Sequence, residues 1–388
     1  MHDARGRRLL LIISRNLPPV VGGIERLMHR LIRELATSRP CVVIGPRGCR
    51  RFLPPDLEVF ELPHRPAPLF VALAWCVCAF LLWRRRFAAV LAGNGLMRFA
   101  AAAAWPHRMP IVTMVYGLDI VADNRLYQCL CLPLIARSAA VIACSSNSAR
   151  LAREHGIPAA RLHVVTPGVD PAPTAAADPA MLTGDEAPLL VSVGRLVRRK
   201  GIAEFIRKAL PSIIAQHPRV EFVIVGEAPA AALKREQPET ERISSAIADA
   251  GVQGHARLAG YLDDRELARL MARARVHVFP VIDLPQDVEG FGLVALEAAA
   301  SGVPTVAFDT GGVGDAVEHG VSGTLVKPED YPAFAEAVCE LLGCGPLARR
   351  EACVAYARSR SWERYGAEIG AIIDRASDRR AAPRSPPG

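Results

Sequence analysis

The sequence predicts an α/β protein of two domains, each organised on a parallel sheet of doubly wound type. Three observations lead there. Apolar runs of strand length, such as residues 9–13, 111–115 and 189–193, lack the alternation of a half-exposed strand and fit strands buried on both faces. These runs alternate with helix-period stretches and open into glycine-containing turns. Residues 171–188, rich in Pro, Ala and Asp, then separate two such series, and 388 residues suffice for two cores. The expected boundaries are 1–172 for the first domain, 173–187 for a linker and 188–360 for the second domain.

Composition narrows the partners. Hydrophobic residues make up 51% and aromatics 6%, which suits helices packed on buried strands. The net charge of +8, from 47 basic and 39 acidic residues, favours phosphates, acidic lipid headgroups or nucleic acid. No paired Cys/His zinc pattern and no aromatic RNA-binding strand occurs, so nucleic acid is set aside. The ten cysteines are scattered, and the close pairs Cys76/Cys78 and Cys129/Cys131 match neither a zinc knuckle nor a redox motif. They read as reduced core residues. Reduced cysteines lead to the expectation of a cytoplasmic protein, and the apolar run after the basic N-terminus is too short for a convincing signal peptide.

Taken in order, the strand at residues 9–13 leads into Pro18-Pro19-Val20-Val21-Gly22-Gly23-Ile24-Glu25 and a helix patterned by Leu27, Leu31, Ile32 and Leu35. Strand, glycine turn and helix bring backbone N–H groups close to a phosphate, although two glycines alone also describe a plain tight turn. Strands follow at 41–44 and 57–60. Residues 67–83 are uncharged for 17 positions, apolar on every face, and end in Arg84-Arg85-Arg86. Two readings stay open for this stretch: a helix buried within the domain, or a helix at a membrane interface facing anionic lipid. Strands at 87–92 and 111–115 end in Gly93-Asn94-Gly95 and Tyr116-Gly117-Leu118-Asp119, and the carboxyl ends of such strands are where ligands gather. A strand at 139–144 precedes Ser145-Ser146, which can cap a helix running to His155 with Gly156 as its stop. Residues 161–165 form the last strand of the first series.

In the second series, the strand at 189–193 feeds Gly194-Arg195-Leu196-Val197-Arg198-Arg199-Lys200-Gly201. A glycine turn with Arg195 and Lys200 five residues apart suits a diphosphate clamp, or simply a solvated basic turn. Strands are expected at 220–225, within 252–261 before Leu262, and at 276–280, where His277 reads as structural. The chain then reaches Val288-Glu289-Gly290-Phe291-Gly292 and an Ala/Leu helix carrying Glu297, which stops at Gly302. The turn offers free N–H groups at a helix N-terminus, a ready anion site. Glu297 lies six residues beyond Phe291, about 9 Å along a helix axis. That spacing suits a diphosphate at the helix start and a ribose hydroxyl on the carboxylate; a solvated Glu297 is the plainer alternative.

Two glutamates seven residues apart around Gly290-Phe291-Gly292, with a Gly302-Val303-Pro304 exit, resemble the donor-site signature of the family 4 retaining glycosyltransferases. Arg195 and Lys200 before Gly201, and Gly22-Gly23 after the first strand, resemble the same family, and the resemblance covers nearly the whole chain. It implies two Rossmann-like domains facing across a cleft (GT-B), with 361–380 as a helix crossing back to the first domain and 381–388 as a frayed tail. It implies transfer of a sugar from a nucleotide diphosphate sugar to a hydroxyl, with Arg195, Lys200 and the amides of Gly22, Gly23, Gly290, Phe291 and Gly292 around the diphosphate. Glu297 would bind ribose, Leu262 would lie at the nucleobase and Glu289 would hold the donor sugar. Tyr116 stands where the family usually has a histidine, and with Asp119 it would orient a sugar. No Asp-x-Asp occurs in the sequence, so no metal or other cofactor is expected. The partners implied are the nucleotide sugar, a glycan or lipid-linked acceptor and an anionic membrane surface, with the protein peripheral on the inner face of the membrane. The competing readings are a nucleotide-sugar epimerase of the same fold and a non-catalytic binding or scaffold protein.

Overall fold

The computed structural model describes residues 9–122, 124–171, 187–228, 238–344 and 349–381. The expected linker, apart from Ala187, and the expected tail, apart from Ala381, lie outside the described residues. The chain divides into two compact units, Met1–Gly168 with Trp362–Gly388, and Val169–Ser361.

The first unit begins with β1 (Leu10–Ile13), α1 (Gly23–Ser38), β2 (Cys41–Pro46), β3 (Glu58–Leu62), α2 (Ala67–Arg84) and β4 (Ala89–Ala92). It continues with α3 (Met97–Ala101), β5 (Ile111–Val115), α4 (Leu118–Val121), α5 (Arg125–Ala136), β6 (Ala140–Ala143), α6 (Ser146–Glu154) and β7 (Leu162–Val164). Among the described residues its strands form one parallel sheet in the order β3-β2-β1-β4-β5-β6-β7. The first, fourth and sixth strands are buried throughout, as their unbroken apolar sequence requires. The Ser145 hydroxyl accepts from the Ser148 amide and caps α6, and Gly156 ends that helix in the left-handed region.

The second unit runs β8 (Leu189–Val193), α7 (Ile202–Lys208), α8 (Leu210–Gln216), β9 (Glu221–Val225), α9 (Glu239–Asp249), β10 (Ala256–Gly260), α10 (Asp264–Arg273) and β11 (Ala274–Phe279). It ends with α11 (Leu293–Ala300), β12 (Thr305–Phe308), α12 (Val313–Ala316), β13 (Gly323–Val326), α13 (Tyr331–Gly343) and α14 (Arg350–Arg358). Its parallel sheet has the order β10-β9-β8-β11-β12-β13. The last helix, α15 (Trp362–Ala381), packs on α1 and on β4, β5 and β6 of the first unit. Arg39 on the α1 side grips Asp374 of α15 with two hydrogen bonds, at 2.8 and 3.1 Å.

In each sheet the first strand of its series has neighbours that lead away in opposite directions, β2 and β4 around β1 and β9 and β11 around β8. The crevice at the carboxyl ends of such strands is where doubly wound sheets hold ligands. The crossovers place α2, α3, α5 and α6 on one face of the first sheet and α1 on the other, since parallel crossovers are right-handed. Two clusters lie on the first of these faces, one joining α2 and α3 to β1, β2 and β4, the other joining α5 and α6 to β5 and β6.

Helix α2 meets neither sequence expectation completely. Phe70, Ala74, Cys78, Leu81 and Leu82 are buried against the sheet. The opposite face is equally apolar and stands in solvent, with Leu69, Trp75 (47% exposed), Phe80 (50%) and Trp83 (75%) along it. Arg84 lies over both the Phe80 and Trp83 rings, and Arg85 and Arg86 are exposed beside it. Among the described residues α2 is the one helix long and apolar enough to cross a membrane by length and composition; it connects β3 to β4 in the chain and packs on the face of the sheet.

Candidate active site

In the second unit the loops after β8 and β11 converge on a cluster of four charges, Arg199, Lys200 and Glu289 largely enclosed and Asp287 partly exposed. After β8, a tight turn at 198–200 ends at Gly201, whose φ of +65° and lack of space (an added Cβ would lie 2.0 Å from the Pro280 carbonyl) demand glycine. This turn swings Arg199 and Lys200 inward, at 7% and 8% exposure. The Lys200 ammonium donates to Glu289 Oε2 at 2.9 Å, and Arg199 Nε donates to the same oxygen at 3.1 Å. Arg199 Nη1 donates to Asp287 at 2.8 Å, and the Phe279 ring lies under Lys200 Nζ at 4.5 Å. Burial pushes the Glu289 carboxyl up, but Lys200 and Arg199 outweigh it and hold the group below its ordinary value. Burial lowers Lys200 against the opposing pull of Glu289. His277, also buried, is pushed down to about 3 by burial and by Lys200, so it is neutral; its Nδ1 lies 3.1 Å from Thr305 Oγ1. The ring is enclosed within its strand and lies close enough to Lys200 to feel its charge.

The glutamate is held from behind by a second glycine turn. The Gly312 amide donates to the Glu289 carbonyl at 2.8 Å, and a Cβ on Gly312 would come within 2.1 Å of the Gly290 carbonyl. Gly292 adopts φ +93° with the Phe279 ring against it, so α11 starts at Leu293. That corrects the sequence geometry: Glu297 is four helical steps from the start, about 6 Å, because a left-handed Gly292 cannot belong to the helix that the spacing began at Phe291. No N-cap side chain bonds the start of α11; the Ala295 amide donates to the Gly292 carbonyl at 2.9 Å, and a helix N-terminus without a side-chain cap is the kind of place where an anion binds. Phe291 is buried, and Glu297 is half-buried on α11.

Arg195 is exposed at the rim of this site, close enough to Lys200 to disfavour a second charge there. Leu262 packs against the buried cluster that includes Val191 of β8 and Val223 and Val225 of β9. Sequence reading missed Arg199 and Asp287. The run Arg198-Arg199-Lys200 was visible, but which of its side chains turns inward depends on the 3₁₀ geometry before Gly201.

In the first unit the loops after β1, β4 and β5 are tied to one another. Asn94 Nδ2 donates to Asn16 Oδ1 at 2.6 Å, and Asn16 Nδ2 donates to Glu25 Oε1 at 2.7 Å. The Glu25 carboxylate lies directly over Gly22, where an added Cβ would be 2.2 Å from Oε2. The side-chain position at Gly22 is thus filled by the Glu25 carboxylate, whereas that at Gly23 faces empty space. Asp119 accepts from the amides of Tyr116 at 2.8 Å and Gly95 at 3.1 Å, so it staples two loops together. Tyr116 departs further from expectation. It is 4% exposed, and its hydroxyl is buried without a hydrogen-bond partner among the described residues. Burial, with Tyr365, Cys144 and Asp119 nearby, raises the phenol well above its ordinary value. The phenol is enclosed here, whereas the resemblance would have it orient a sugar. The ten cysteines are all free thiols.

Comparison with known proteins decides the family. Residues 21–173 match the family described as Glycosyltransferase Family 4, and residues 177–360 match Glycosyl transferases group 1. A glycogen synthase of Mycobacterium tuberculosis is 33% identical over 97% of this chain and 97% of its own. The chain belongs to the family 4 glycosyltransferases. A GDP-mannose-dependent phosphatidylinositol monomannoside mannosyltransferase of Mycolicibacterium smegmatis is 29% identical, covering 86% of this glycosyltransferase and 89% of that protein. Among solved structures, Anabaena HepE in complex with UDP and glucose superposes with a TM-score of 0.74 at 19% identity, over 95% of this chain and 99% of that one. Its fold is therefore GT-B, with two Rossmann-like domains.

Proposed function

We propose that this glycosyltransferase moves a sugar from a nucleotide diphosphate sugar to a hydroxyl of a lipid-linked or membrane-associated glycan, with retention of configuration and without a metal cofactor. The observation that carries the reading is the buried carboxylate of Glu289 held by Lys200 and Arg199 beside the uncapped N-terminus of α11. Arg195 and Lys200 face the departing diphosphate and, with the amides at Gly290, Phe291 and Gly292, stabilise the charge that develops on it. Arg199 joins them by fixing Glu289. Glu289 holds donor-sugar hydroxyls and offsets positive charge at the anomeric carbon, Glu297 takes ribose, and Leu262 provides an apolar wall for the base. The bond from the anomeric carbon to the diphosphate breaks, the acceptor oxygen bonds to that carbon, and the acceptor proton passes to the departing phosphate oxygen. In the first unit, Gly23 and the loop stapled by Asp119 serve acceptor binding, with Tyr116 as packing.

The membrane part rests on the solvent-facing aromatic stripe of α2 beside Arg84, Arg85 and Arg86, which suits an anionic lipid surface. It fits a peripheral protein on the cytoplasmic face. The mycobacterial relative named for phosphatidylinositol mannoside chemistry and the UDP and glucose bound by HepE support the acceptor and donor classes. The test is transfer from UDP-, GDP- and ADP-sugars to lipid extracts and soluble glycans, with and without EDTA, and NMR of the product anomer. Retained configuration in EDTA, with lipid-extract acceptors preferred, supports the reading. An inverted product, loss of transfer in EDTA, or transfer to soluble glycans alone each removes the corresponding part.

A further inference from the structure

At the opposite end of the first sheet, a cavity of about 390 Å³ opens where β5 begins and the chain enters β6. Its polar lining is cationic. Arg98 of α3 lies in its wall at 2% exposure, and Arg137 and Arg161 stand exposed at its edge. No acidic side chain among the described residues lines it. Arg98 Nε donates to Ser138 Oγ at 3.2 Å, and that hydroxyl lies 2.8 Å from Thr113 Oγ1. Arg98 Nη1 has no hydrogen-bond partner among the described residues. Trp105, half-exposed, and Met109 supply an apolar side to the same cavity.

A buried guanidinium costs several kcal/mol of lost hydration unless an anion or acceptors replace the water. Elsewhere in the chain the buried bases meet that demand, as Arg199 and Lys200 do with Asp287 and Glu289. Arg98 does not. It has the Ser138 hydroxyl but no carboxylate among the described residues, and its neighbour Arg137 adds a second positive charge that an anion entering the cavity would offset. Arg161 Nη1 donates to the Ala136 carbonyl at 2.8 Å, so Arg98 and Arg137 are the main cationic groups lining the space; forked guanidinium donors suit a tetrahedral oxyanion, and the Trp105 side gives room for an apolar substituent.

We infer that this cavity is a phosphate-binding site, separate from the donor site, that takes a phosphate group either free or as the headgroup of a lipid. Along β5 it lies roughly 16 Å from Tyr116, at the other end of the strand at about 3.3 Å per residue. The inference does not depend on which sugar is transferred or to what.

Calorimetry of the full chain tests it, with inorganic phosphate and a short-chain phosphatidylglycerol below its micelle concentration as probes, at constant ionic strength. Saturable binding is expected, at least tenfold weaker in the exposed double variant Arg137→Ala/Arg161→Ala and absent in Arg98→Met. The Lys200→Ala variant separates the cavity from the donor loops and should bind as the wild type does. Equal affinity for both probes identifies a free phosphate, and a clear preference for the short-chain lipid identifies a headgroup. If neither probe binds, or if the arginine variants bind as tightly as wild type, the inference falls. Should Arg98→Met fail to fold, the double variant still decides.

Discussion

Two buried basic groups, one in each unit, stand in opposite circumstances. Lys200 and Arg199 are enclosed with carboxylates at hydrogen-bond distance, so their charges are matched within the chain. Arg98 is more deeply buried than either and has a serine hydroxyl but no carboxylate partner among the described residues. The matched cluster lies at the carboxyl ends of its sheet, and the unmatched one at the amino end of its own. Under the proposed function, a pair that is complete at rest would have to open to admit a diphosphate, and Glu289 would set how strongly Lys200 is offered to the leaving group. An unmatched base is already poised for an anion.

The largest expected effect comes from breaking the matched cluster. Glu289→Gln should lower the transfer rate by about 10²–10³-fold. It should also lower stability by about 3–5 kcal/mol, because Lys200 and Arg199 stay buried without their acceptor; steady-state kinetics and urea denaturation read the two. A double-mutant cycle between Lys200→Met and Glu289→Gln sharpens the point, with an expected coupling of roughly 2 kcal/mol. Additive stabilities would mean that the pair is incidental.

Acid probes the same neighbourhood. Folded His277 is held at about 3, below its ordinary 6.5, so between these values the unfolded chain takes up a proton that the folded chain refuses. Its stability contribution is complete above 6.5 and is lost as pH falls toward 3. The depressed Glu289 acts in the same direction at lower pH, below its ordinary 4.5. His277→Gln should therefore flatten the fall in stability between pH 6 and 4, as followed by denaturant midpoints on the ordinary-pKa scale.

On the surface, Trp75→Ser with Trp83→Ser should weaken binding to anionic vesicles roughly tenfold, since 1.4 kcal/mol corresponds to burying only about 60 Å² of apolar area. Melting temperature should be almost unchanged, because both rings face solvent. The smallest effect is expected at Arg98→Met without phosphate: within about 1 kcal/mol of wild type, or more stable, because it removes an unmatched buried charge. A loss as large as that at Glu289 would show that Arg98 is matched after all.

Much of the fold could be read from the chain because parallel strands buried on both faces are nearly uniform in hydrophobicity and glycine turns punctuate them. Residues 189–193 and 111–115 are such strands. The site was less legible. Glu289 and Lys200 were found through the resemblance of their glycine-flanked motifs to the family's donor site, whereas Arg199 was hidden in a basic run whose geometry is fixed by Gly201. Glu25 over Gly22 is a contact within one helical turn that no pattern announces. Tyr116 was visible as a departure, yet its enclosure depends on Tyr365, some 250 positions later in the chain. Helix α2 shows the limit of composition: its two faces read alike, and packing alone separates the buried one from the exposed one. Arg98 left no signal at all, since an arginine in a short helix is ordinary until its surroundings are known.

The central claim is that the second unit binds a nucleotide diphosphate sugar through Glu289, Lys200 and α11. Calorimetric titration of the full chain with UDP, GDP, ADP and their sugars, beside Glu297→Ala and Lys200→Ala, tests it most directly. Selective binding of one nucleotide, weakened in both variants, is the predicted result. Binding that ignores both substitutions, or no binding by any of the nucleotides, would contradict it.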